Sequence, residues 1–269
     1  MTRILITGGR GELGRHLVPR LLDIGHTVRI LSRTAHLPGD HPNVERAQGA
    51  LATGEGLAEA VRDVDVVVHA ASTPVGAKQV DTGGAQRLLD LTRQGKLAHF
   101  FYISIVGVDR HPFFYYRAKY ATERLIERSA APWTILRATQ FHAFLGRLIL
   151  PSFYRLPVFF IPTDFVFQLI DEGEVAQRIL ELIQRGPSGR AEDIGGPEIL
   201  TWGEIARTWL AAQKRIRRIV HIPIPGKTAA AFRLGLHTTP EHKYGRITWE
   251  QWLEKAYGSH ANDKAGQSA

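Results

Sequence analysis

The sequence predicts an α/β fold in which helices cover both faces of a doubly wound parallel sheet. In residues 1–140, short apolar and β-branched runs alternate with segments of helical periodicity, which is typical of successive βαβ units. The first run passes directly into a glycine-rich turn and then into a helix. With 269 residues, of which 44% are hydrophobic and none is cysteine, the chain suits one large domain that needs no disulfide.

The strands are predicted from short runs rich in apolar and β-branched residues, and the run at 99–105 is continuous enough to be buried on both faces of a parallel sheet. These runs are residues 3–7, 27–31, 44–51, 65–69, 99–105 and 134–136. Between them, apolar residues recur at helical spacing, which predicts helices over residues 12–24, 55–62, 80–93 and 115–129. Gly25 follows the first helix at the position where a glycine ends many helices.

The regular alternation ends near Phe141. Beyond it we predict helices over residues 173–185, 227–236 and 249–257, and a strand over residues 219–222. A further helix begins after Thr201, because Glu204 three residues later completes a capping box. This part offers little core of its own, so we expect it to pack on the edge of the sheet. Residues 259–269 are polar and small, which predicts a flexible tail.

The composition excludes several classes of site. A chain without cysteine forms no disulfide, iron–sulfur cluster or cysteine nucleophile. Its 12 histidines show no spacing that is typical of metal ligands, so we expect no metal. The apolar stretch 144–161 is broken by arginines and prolines, and no signal-peptide segment precedes the first strand. We therefore expect a cytoplasmic protein without a membrane span.

The net charge of +8 allows two interpretations. The run Lys214-Arg215-Ile216-Arg217-Arg218 could contact nucleic acid, or it could be a solvated patch on a protein that keeps a few cations for an anionic cofactor. The run lacks interleaved aromatic residues and belongs to no DNA-binding motif. We therefore favour the solvated patch and expect no nucleic-acid partner.

The segment Thr-Gly-Gly-Arg-Gly-Glu-Leu-Gly at residues 7–14 is the most informative in the chain. Gly8 allows a tight turn off the strand, Gly11 lets a diphosphate approach the backbone, and Gly14 lets the helix pack close to the sheet. The helix N-terminus then presents free N–H groups to the phosphates. This context predicts a Rossmann-type dinucleotide site, formed by Thr7, Gly8, Gly9, Arg10, Gly11, Glu12, Leu13 and Gly14.

The end of the second strand bears on which dinucleotide binds. An NAD site usually has an Asp or Glu there for the ribose 2′-hydroxyl, but this chain reads Leu31-Ser32-Arg33-Thr34. Arg33 can pair with a 2′-phosphate, and Arg10 could flank it, because a guanidinium binds phosphate oxygens in a planar, bidentate way. We therefore prefer NADP(H), with NAD(H) still possible. Ser32 and Arg33 join the predicted cofactor-binding residues, although Arg33 could also be a solvated surface residue.

Tyr115 and Lys119 lie four residues apart on a predicted helix and therefore share a face. A free phenol has a pKa of about 10, and a nearby ammonium lowers it, which makes the phenol a better acid–base catalyst. Ser104 ends the fifth strand, at the sheet edge where such folds bind ligands. We predict that Ser104 positions a substrate carbonyl, Tyr115 transfers the proton, and Lys119 tunes Tyr115 and contacts the nicotinamide ribose. A chance Tyr/Lys pair is the alternative.

These motifs, together with Val67-Val68-His69-Ala70-Ala71, resemble the short-chain dehydrogenase/reductase superfamily, and more narrowly its atypical or extended NmrA-like NAD(P)-binding members. Asp81-Thr82-Gly83-Gly84 is similar to the fourth helix of that group, and residues 136–141 are similar to its sixth strand and the loop beside the nicotinamide. The resemblance implies catalytic roles for Ser104, Tyr115 and Lys119. It also adds cofactor-binding residues, namely Ala70, Ala71, Ser72, Lys119, Ala138, Thr139, Gln140 and Phe141.

We accordingly expect a single NAD(P)-binding Rossmann domain over residues 1–258. Residues 1–140 would form its cofactor-binding core, and residues 141–258 a small C-terminal part on the substrate side. The chain departs from the family in two places. Residues 49–51 lack the Gly-Asp pair that many relatives use near the adenine, and we find no counterpart of the family's catalytic Asn.

The predicted function is an NADP(H)-dependent oxidoreductase that moves a hydride to or from a small apolar carbonyl or quinone-like substrate, as a monomer or homodimer. The aromatic segment 153–162 could be the wall of an apolar substrate pocket or simple core filling, with membrane contact a weaker interpretation. Some NmrA-like relatives bind NADP as sensors without catalysis. A non-catalytic redox sensor or regulatory protein of the same fold is therefore the alternative.

Overall fold

The computed structural model describes residues 1–34, 43–74, 76–93, 95, 97–153 and 155–258. The strands are β1 (Arg3–Thr7), β2 (Thr27–Ser32), β3 (Val44–Gln48), β4 (Val66–His69), β5 (His99–Ile105), β6 (Trp133–Ala138), β7 (Val158–Ile161), β8 (Val166–Gln168), β9 (Gly189–Arg190), β10 (Ile199–Thr201) and β11 (Arg218–His221). The predicted tail, residues 259–269, lies outside the described residues.

The α-helices are α1 (Glu12–Asp23), α2 (Leu57–Ala60), α3 (Gly83–Thr92), α4 (Phe114–Glu127), α5 (Leu150–Ser152), α6 (Glu172–Arg185), α7 (Trp202–Ala212), α8 (Lys227–Arg233) and α9 (Trp249–Tyr257). Two π-helical segments, Lys78–Thr82 and Phe144–Ile149, lead into α3 and α5. None of the helices formed by the described residues combines the length and apolar character that a membrane crossing needs.

The central sheet has seven strands in the order β3-β2-β1-β4-β5-β6-β9. The strands run parallel, with β1 paired to β2 on one side and to β4 on the other. This is the predicted doubly wound Rossmann-type α/β fold. The chain changes direction of travel across the sheet between β1 and β4, so the carboxyl ends of these two strands form the crevice in which such sheets bind ligands.

The described residues divide into two compact units. The first unit comprises residues 1–109, 113–137 and 173–192 and contains the sheet. Its core combines strand residues such as Leu5, Val67 and Phe100 with helix residues such as Leu88, all of them completely buried. Burial on both faces explains why these strands were recognisable as continuous apolar runs.

The second unit comprises residues 110–112, 138–172 and the residues from 193 onward, and it has an apolar core of its own. We expected little core in this part. The difference arises because four tryptophans that are distant in sequence are buried in this core: Trp202, Trp209, Trp249 and Trp252. Phe159 and Ile161 of the aromatic segment also fill this core, which supports the core-filling interpretation for them.

Local structure differs from the expectations mainly outside the sheet. Residues 80–93 were predicted as one helix, but Lys78–Thr82 is π-helical and α3 begins only at Gly83. Strands β7 to β10 were not predicted, because strands of two to four residues carry no clear periodicity. The capping box at Thr201 is present as predicted, and Gly25 has a φ of +84° just after α1.

Candidate dinucleotide and catalytic site

The turn after β1 is held against the turn after β4 by the side chain of Thr7. Its hydroxyl oxygen accepts the N–H groups of Ala70 (3.2 Å) and Ala71 (3.1 Å), and it lies 2.8 Å from Nδ1 of His69. Burial lowers the pKa of His69 to about 4, so its ring is neutral at pH 7. Thr7 therefore donates its proton to Nδ1, and Nε2 of His69 donates to the carbonyl oxygen of Asp81 at 3.1 Å.

The glycines of residues 7–14 are required by close backbone approaches. Gly8 has a φ of +75°, and a Cβ there would lie 2.8 Å from the backbone nitrogen of Ala71. A Cβ on Gly14 would lie 2.4 Å from the carbonyl oxygen of Gly9. The helix α1 begins after Gly11, which provides no side-chain cap, so the N–H groups of the first turn stay available. This narrow cradle of backbone N–H groups fits a diphosphate.

Two arginines lie at the end of β2, where sequence analysis predicted the ribose contact. Nη1 of Arg10 donates to the hydroxyls of Ser32 (2.7 Å) and Thr34 (2.8 Å), so the glycine-rich loop is tied directly to this strand end. The adjacent Arg33 is exposed. The predicted residues Arg10, Ser32 and Arg33 therefore all lie at the end of β2. The positive charge of the two arginines suits an anionic group there.

Tyr115 contacts Ser72, a residue that was predicted to bind the cofactor. Its hydroxyl lies 2.6 Å from Oγ of the exposed Ser72, at the turn after β4. Oγ of Ser72 also donates to the carboxylate of Asp81, at 2.8 and 3.0 Å. Since a serine has only one hydroxyl proton, Tyr115 is the donor in the Tyr115–Ser72 bond. The half-buried phenol thus presents its proton next to the predicted dinucleotide turn.

Lys119 lies behind this pair and is bound to Asp81. Its Nζ is 3.0 Å from Oδ1 of Asp81 and 3.0 Å from the carbonyl oxygen of Ile103. The side chain of Lys119 is 3% exposed and that of Asp81 is 0% exposed. Tyr102 adds a ring face 4.8 Å from Nζ and a hydroxyl that donates to Asp81 at 3.4 Å. Burial is the largest effect and disfavours the ammonium, but the neighbouring acidic groups of Asp81, Tyr102 and Tyr115 together outweigh it and raise the pKa of Lys119.

Ser104 lies near the carboxyl end of β5 as expected, but it is only 3% exposed. Its Oγ has no hydrogen-bond partner among the described residues, and the hydroxyl of Tyr115 is bonded to Ser72 instead. The substrate-positioning role of Ser104 therefore stays a prediction. The same holds for contact between Lys119 and a ribose, because two acceptors already hold two of its three ammonium protons.

The helix that carries Tyr115 and Lys119 is fixed to the sheet by a buried ion pair farther along. Glu123 of α4 is completely buried and accepts both Nε (2.9 Å) and Nη2 (2.7 Å) of Arg137 on β6. Arg190 of β9 adds a bond of 3.1 Å to the same carboxylate. A bidentate pair of this kind restricts rotation and sliding of α4, so the register of Tyr115 against the sheet is well defined.

Comparison with protein families gives a match to a model described as NAD(P)H-binding, over residues 8–143. These residues begin in the glycine-rich turn and extend past β6. The chain belongs to this NAD(P)H-binding family. Membership confirms the resemblance to the NmrA-like, atypical members of the short-chain dehydrogenase/reductase superfamily. The family is oxidoreductase-like and binds NAD(P).

Individual relatives of this NAD(P)H-binding chain have different functions. It is 24% identical to the photosystem II assembly factor Ycf39 of Cyanophora paradoxa, covering 82% of this chain and 72% of that protein. It is 28% identical to the (4-alkanoyl-5-oxo-2,5-dihydrofuran-3-yl)methyl phosphate reductase of Streptomyces griseus, covering 74% and 69%. The fold matches a UDP-glucose 4-epimerase of Thermotoga maritima with a TM-score of 0.75 at 17% identity, covering 98% and 100%.

The remaining cofactor-binding residues predicted for this family member lie in the second unit. Ala138 forms a parallel bridge with Ile194 there, and the N–H of Thr139 donates to the carbonyl of Ile194 at 3.0 Å. Phe141 forms a parallel bridge with Ile170, whose N–H donates to the carbonyl oxygen of Gln140 at 2.9 Å. Their backbone positions are therefore defined within that unit. Their contact with a nicotinamide stays a prediction.

Sequence reasoning missed Asp81 as a functional residue. It noted the segment only as similar to a family helix, although Asp81 joins Lys119, Ser72 and Tyr102 in one cluster. The sequence does contain an indication of this role. Asp81 stands beside the small residues 82–84 on a helix face that is predicted to be buried, and a buried acid needs a cation partner. Among the described residues, no group of three or more His, Cys, Asp or Glu side chains is arranged to hold a metal ion.

Proposed function

We propose that this chain is an NADP(H)-dependent oxidoreductase that acts on a small apolar carbonyl or quinone-like substrate. The observation that carries the proposal is the bond of 2.6 Å between the hydroxyls of Tyr115 and Ser72 beside the glycine-rich turn. It presents an accessible phenol proton at the sheet edge where this fold binds ligands. Bound NADPH would supply the hydride.

The proton chemistry follows from the donors around Tyr115. Ser72 gives its proton to Asp81, so the proton of Tyr115 is directed at the oxygen of Ser72. A substrate carbonyl oxygen that enters beside Ser72 can accept that proton in its place. Its carbon would accept the hydride, which gives an alcohol and leaves a phenolate on Tyr115. The positive charge of Lys119 lies on the same helix face, partly balanced by Asp81.

The preference for NADP(H) is supported by charge at the end of β2. Arg10 is oriented towards this strand end through Ser32 and Thr34, and Arg33 is exposed beside it. The segment Leu31 to Thr34 contains no carboxylate that would bind a free 2′-hydroxyl and repel a 2′-phosphate. We further place the protein in the cytoplasm, as a monomer or homodimer.

A second candidate function is an NADP(H)-binding sensor or assembly factor without turnover. The observation that favours it is the burial of Lys119, whose ammonium is bound to Asp81 and to the carbonyl oxygen of Ile103. A relative that aligns with most of this chain is named as a photosystem II assembly factor. In this case Tyr115, Ser72 and Asp81 would serve only to hold the turn after β4.

Two measurements separate the candidates. Calorimetry with NADPH tests binding, and loss of NADPH absorbance across a panel of aldehydes, ketones and quinones tests turnover. We expect binding and turnover in the native chain, and a loss of turnover of about 100-fold or more in Tyr115→Phe, with NADPH affinity retained. Tyr120→Phe is the matched control, since Tyr120 is an exposed tyrosine of the same helix.

Each result has a definite meaning. Binding without NADPH consumption by any member of the panel would favour the sensor. Turnover that Tyr115→Phe leaves unchanged would remove the proposed role of this phenol. Absence of affinity for both NADPH and NADH would contradict both candidate functions.

A further inference from the structure

Two segments of the second unit contain most of the excess positive charge of the chain. Residues 142–163 and 205–240 together contain nine Lys and Arg and no Asp or Glu, whereas the whole chain has a net charge of +8. The rest of the chain is therefore close to neutral. The proposed cofactor site does not account for this charge, because its arginines, Arg10 and Arg33, lie in the first unit.

The two segments are joined by a small parallel sheet. Strand β11 pairs with β7 in a register that sets Arg218 opposite Val158 and Val220 opposite Phe160. Because the strands are parallel, their first residues, Val158 and Arg218, lie side by side at one edge. Leu156 and Ile216 each stand two residues before these paired positions.

This edge combines exposed apolar residues with cations. Ile216 is 95% exposed, Phe160 is 53% exposed and Leu156 is 45% exposed. Phe159 is buried in the core of the second unit, so its neighbour Phe160 projects from the opposite, outer face of the strand. The surrounding cations are all exposed: Arg155, Lys214, Arg215, Arg217 and Arg218. We call these residues, together with Leu156, Phe160 and Ile216, the basic apolar edge.

We propose that the basic apolar edge docks this protein on the surface of an anionic phospholipid bilayer. The large apolar side chains of the basic apolar edge can enter the boundary between headgroups and acyl chains, while its arginines and lysine bind anionic headgroups. No acidic side chain in either segment opposes that approach. The docking is peripheral and is independent of the proposed redox reaction.

The apolar residues distinguish a bilayer from a nucleic acid. A nucleic-acid surface is bound by cations together with polar or stacking contacts to bases, and an isoleucine that is almost fully exposed adds nothing to phosphate binding. At a bilayer, the same isoleucine gains free energy from leaving water. Ile216, with two cations on either side, is arranged for the second case.

Co-sedimentation of the full chain with vesicles tests the proposal. We expect binding to mixed phosphatidylcholine–phosphatidylglycerol vesicles, weakening as salt is raised, and much weaker binding to phosphatidylcholine alone. Replacement of two cations in Arg217→Ser/Arg218→Ser should weaken binding by about fivefold for each cation. The double variant Leu156→Ser/Ile216→Ser, which keeps the charge, should weaken it by about tenfold.

Matched controls lie in the first unit. Leu91 is an exposed leucine of α3 and Arg93 an exposed arginine just after it, so Leu91→Ser and Arg93→Ser should not change vesicle binding. Thermal unfolding checks that each variant is folded. Equal binding of native chain and Leu156→Ser/Ile216→Ser would overturn the proposal, as would equal affinity for both vesicle types. Displacement from vesicles by duplex DNA, with DNA binding unaffected by Leu156→Ser/Ile216→Ser, would identify nucleic acid as the partner instead.

Discussion

The carboxylate of Asp81 and the ammonium of Lys119 form an ion pair of 3.0 Å inside the first unit, where both side chains are almost completely buried. Asp81 also accepts the proton of Ser72, which in turn accepts the proton of Tyr115. A chain of three contacts therefore links a buried charge to the exposed edge of the candidate site. The orientation of the phenol proton depends on a carboxylate that touches neither the phenol nor the predicted dinucleotide turn.

Asp81→Asn should destabilise the protein by about 3–5 kcal/mol, because it leaves the ammonium of Lys119 buried without a compensating charge. The double variant Asp81→Asn/Lys119→Met should regain most of that loss, since no charge then stays buried. Urea unfolding at pH 7 measures both effects. If the single variant were as stable as the native chain, the ion pair would not contribute to stability as described.

The pH dependence of that ion pair has a definite sign. The pKa of Lys119 is raised in the folded state, so its contribution to stability is fully present below its unfolded pKa of about 10.4. The contribution is lost only as the pH rises through the higher folded pKa. Acid unfolding near neutral pH must therefore have another origin.

Gly8→Ala should abolish NADPH binding and destabilise the fold, because the new Cβ would lie 2.8 Å from the backbone nitrogen of Ala71 at a φ of +75°. Gly25→Ala is the matched control: its φ is +84°, but a Cβ there meets no atom within 4 Å. We expect Gly25→Ala to cost only about 1 kcal/mol for the left-handed backbone and to bind NADPH normally. Calorimetry and thermal unfolding measure the difference. Equal behaviour of the two variants would argue against the close packing of the two turns.

Arg33→Asp should weaken NADPH binding by about tenfold or more while changing NADH binding little, because a carboxylate repels the 2′-phosphate. Arg62→Asp is the control, since Arg62 is an exposed arginine that pairs with Glu59 on the surface. The dissociation constants of both cofactors, measured at one salt concentration, give the comparison. A similar loss for NADPH and NADH would show that Arg33 does not distinguish between them.

Ser104→Ala and Ser72→Ala distinguish the roles of the two serines. The buried hydroxyl of Ser104 makes no hydrogen bond among the described residues, so its removal should change stability by less than about 1 kcal/mol. If Ser72 positions the substrate, Ser104→Ala should keep NADPH turnover and Ser72→Ala should reduce it. The reverse order of activities would establish the originally predicted role of Ser104.

Stability should fall as the pH is lowered from about 6.5, and His142 gives the clearest case. Burial lowers its pKa to about 3, both ring nitrogens lack partners among the described residues, and it stacks on Trp249 and Trp252. Between pH 6.5 and 3, His142 binds a proton in the unfolded chain but stays neutral in the folded chain. The free energy of unfolding therefore falls by about 1.4 kcal/mol for each pH unit. His142→Phe should reduce the number of protons taken up on unfolding by one. Urea unfolding at a series of pH values measures this number from the slope of the free energy of unfolding against pH. The exposed His221→Phe is the control, and an unchanged slope in His142→Phe would contradict the assignment.

The centre of the sheet could be predicted from the sequence because β1, β4 and β5 are buried almost throughout and therefore have a continuous apolar pattern. Strand β5 and helix α9 have the predicted bounds, and the glycine-rich turn lies between β1 and α1 as expected. The second unit could not be predicted in this way. Its strands have two to four residues, and its core depends on aromatic residues such as Trp202 and Trp249, which are distant in sequence.

The candidate site was predicted in its parts but not in its connections. Tyr115, Lys119 and Ser72 were each identified, yet the pairing of Tyr115 with Ser72 depends on the orientation of side chains on different elements. Asp81 was missed because a single acid has no periodicity of its own. Its position depends on the change from π-helix to α-helix at Gly83, and helical periodicity alone does not reveal such a change.

The π-helical segment Lys78–Thr82 makes the ion pair sensitive to chain length. A π-turn accommodates one more residue than an α-turn, and one residue corresponds to a rotation of about 100° around the helix axis. Deleting a single residue here would rotate the residues before α3 around the helix axis, and this rotation would move the carboxylate of Asp81 away from Lys119. At its positions other than Asp81, this short stretch therefore tolerates changes of side chain far better than changes of length, and a homologue with a shorter connection would have to neutralise the lysine in another way.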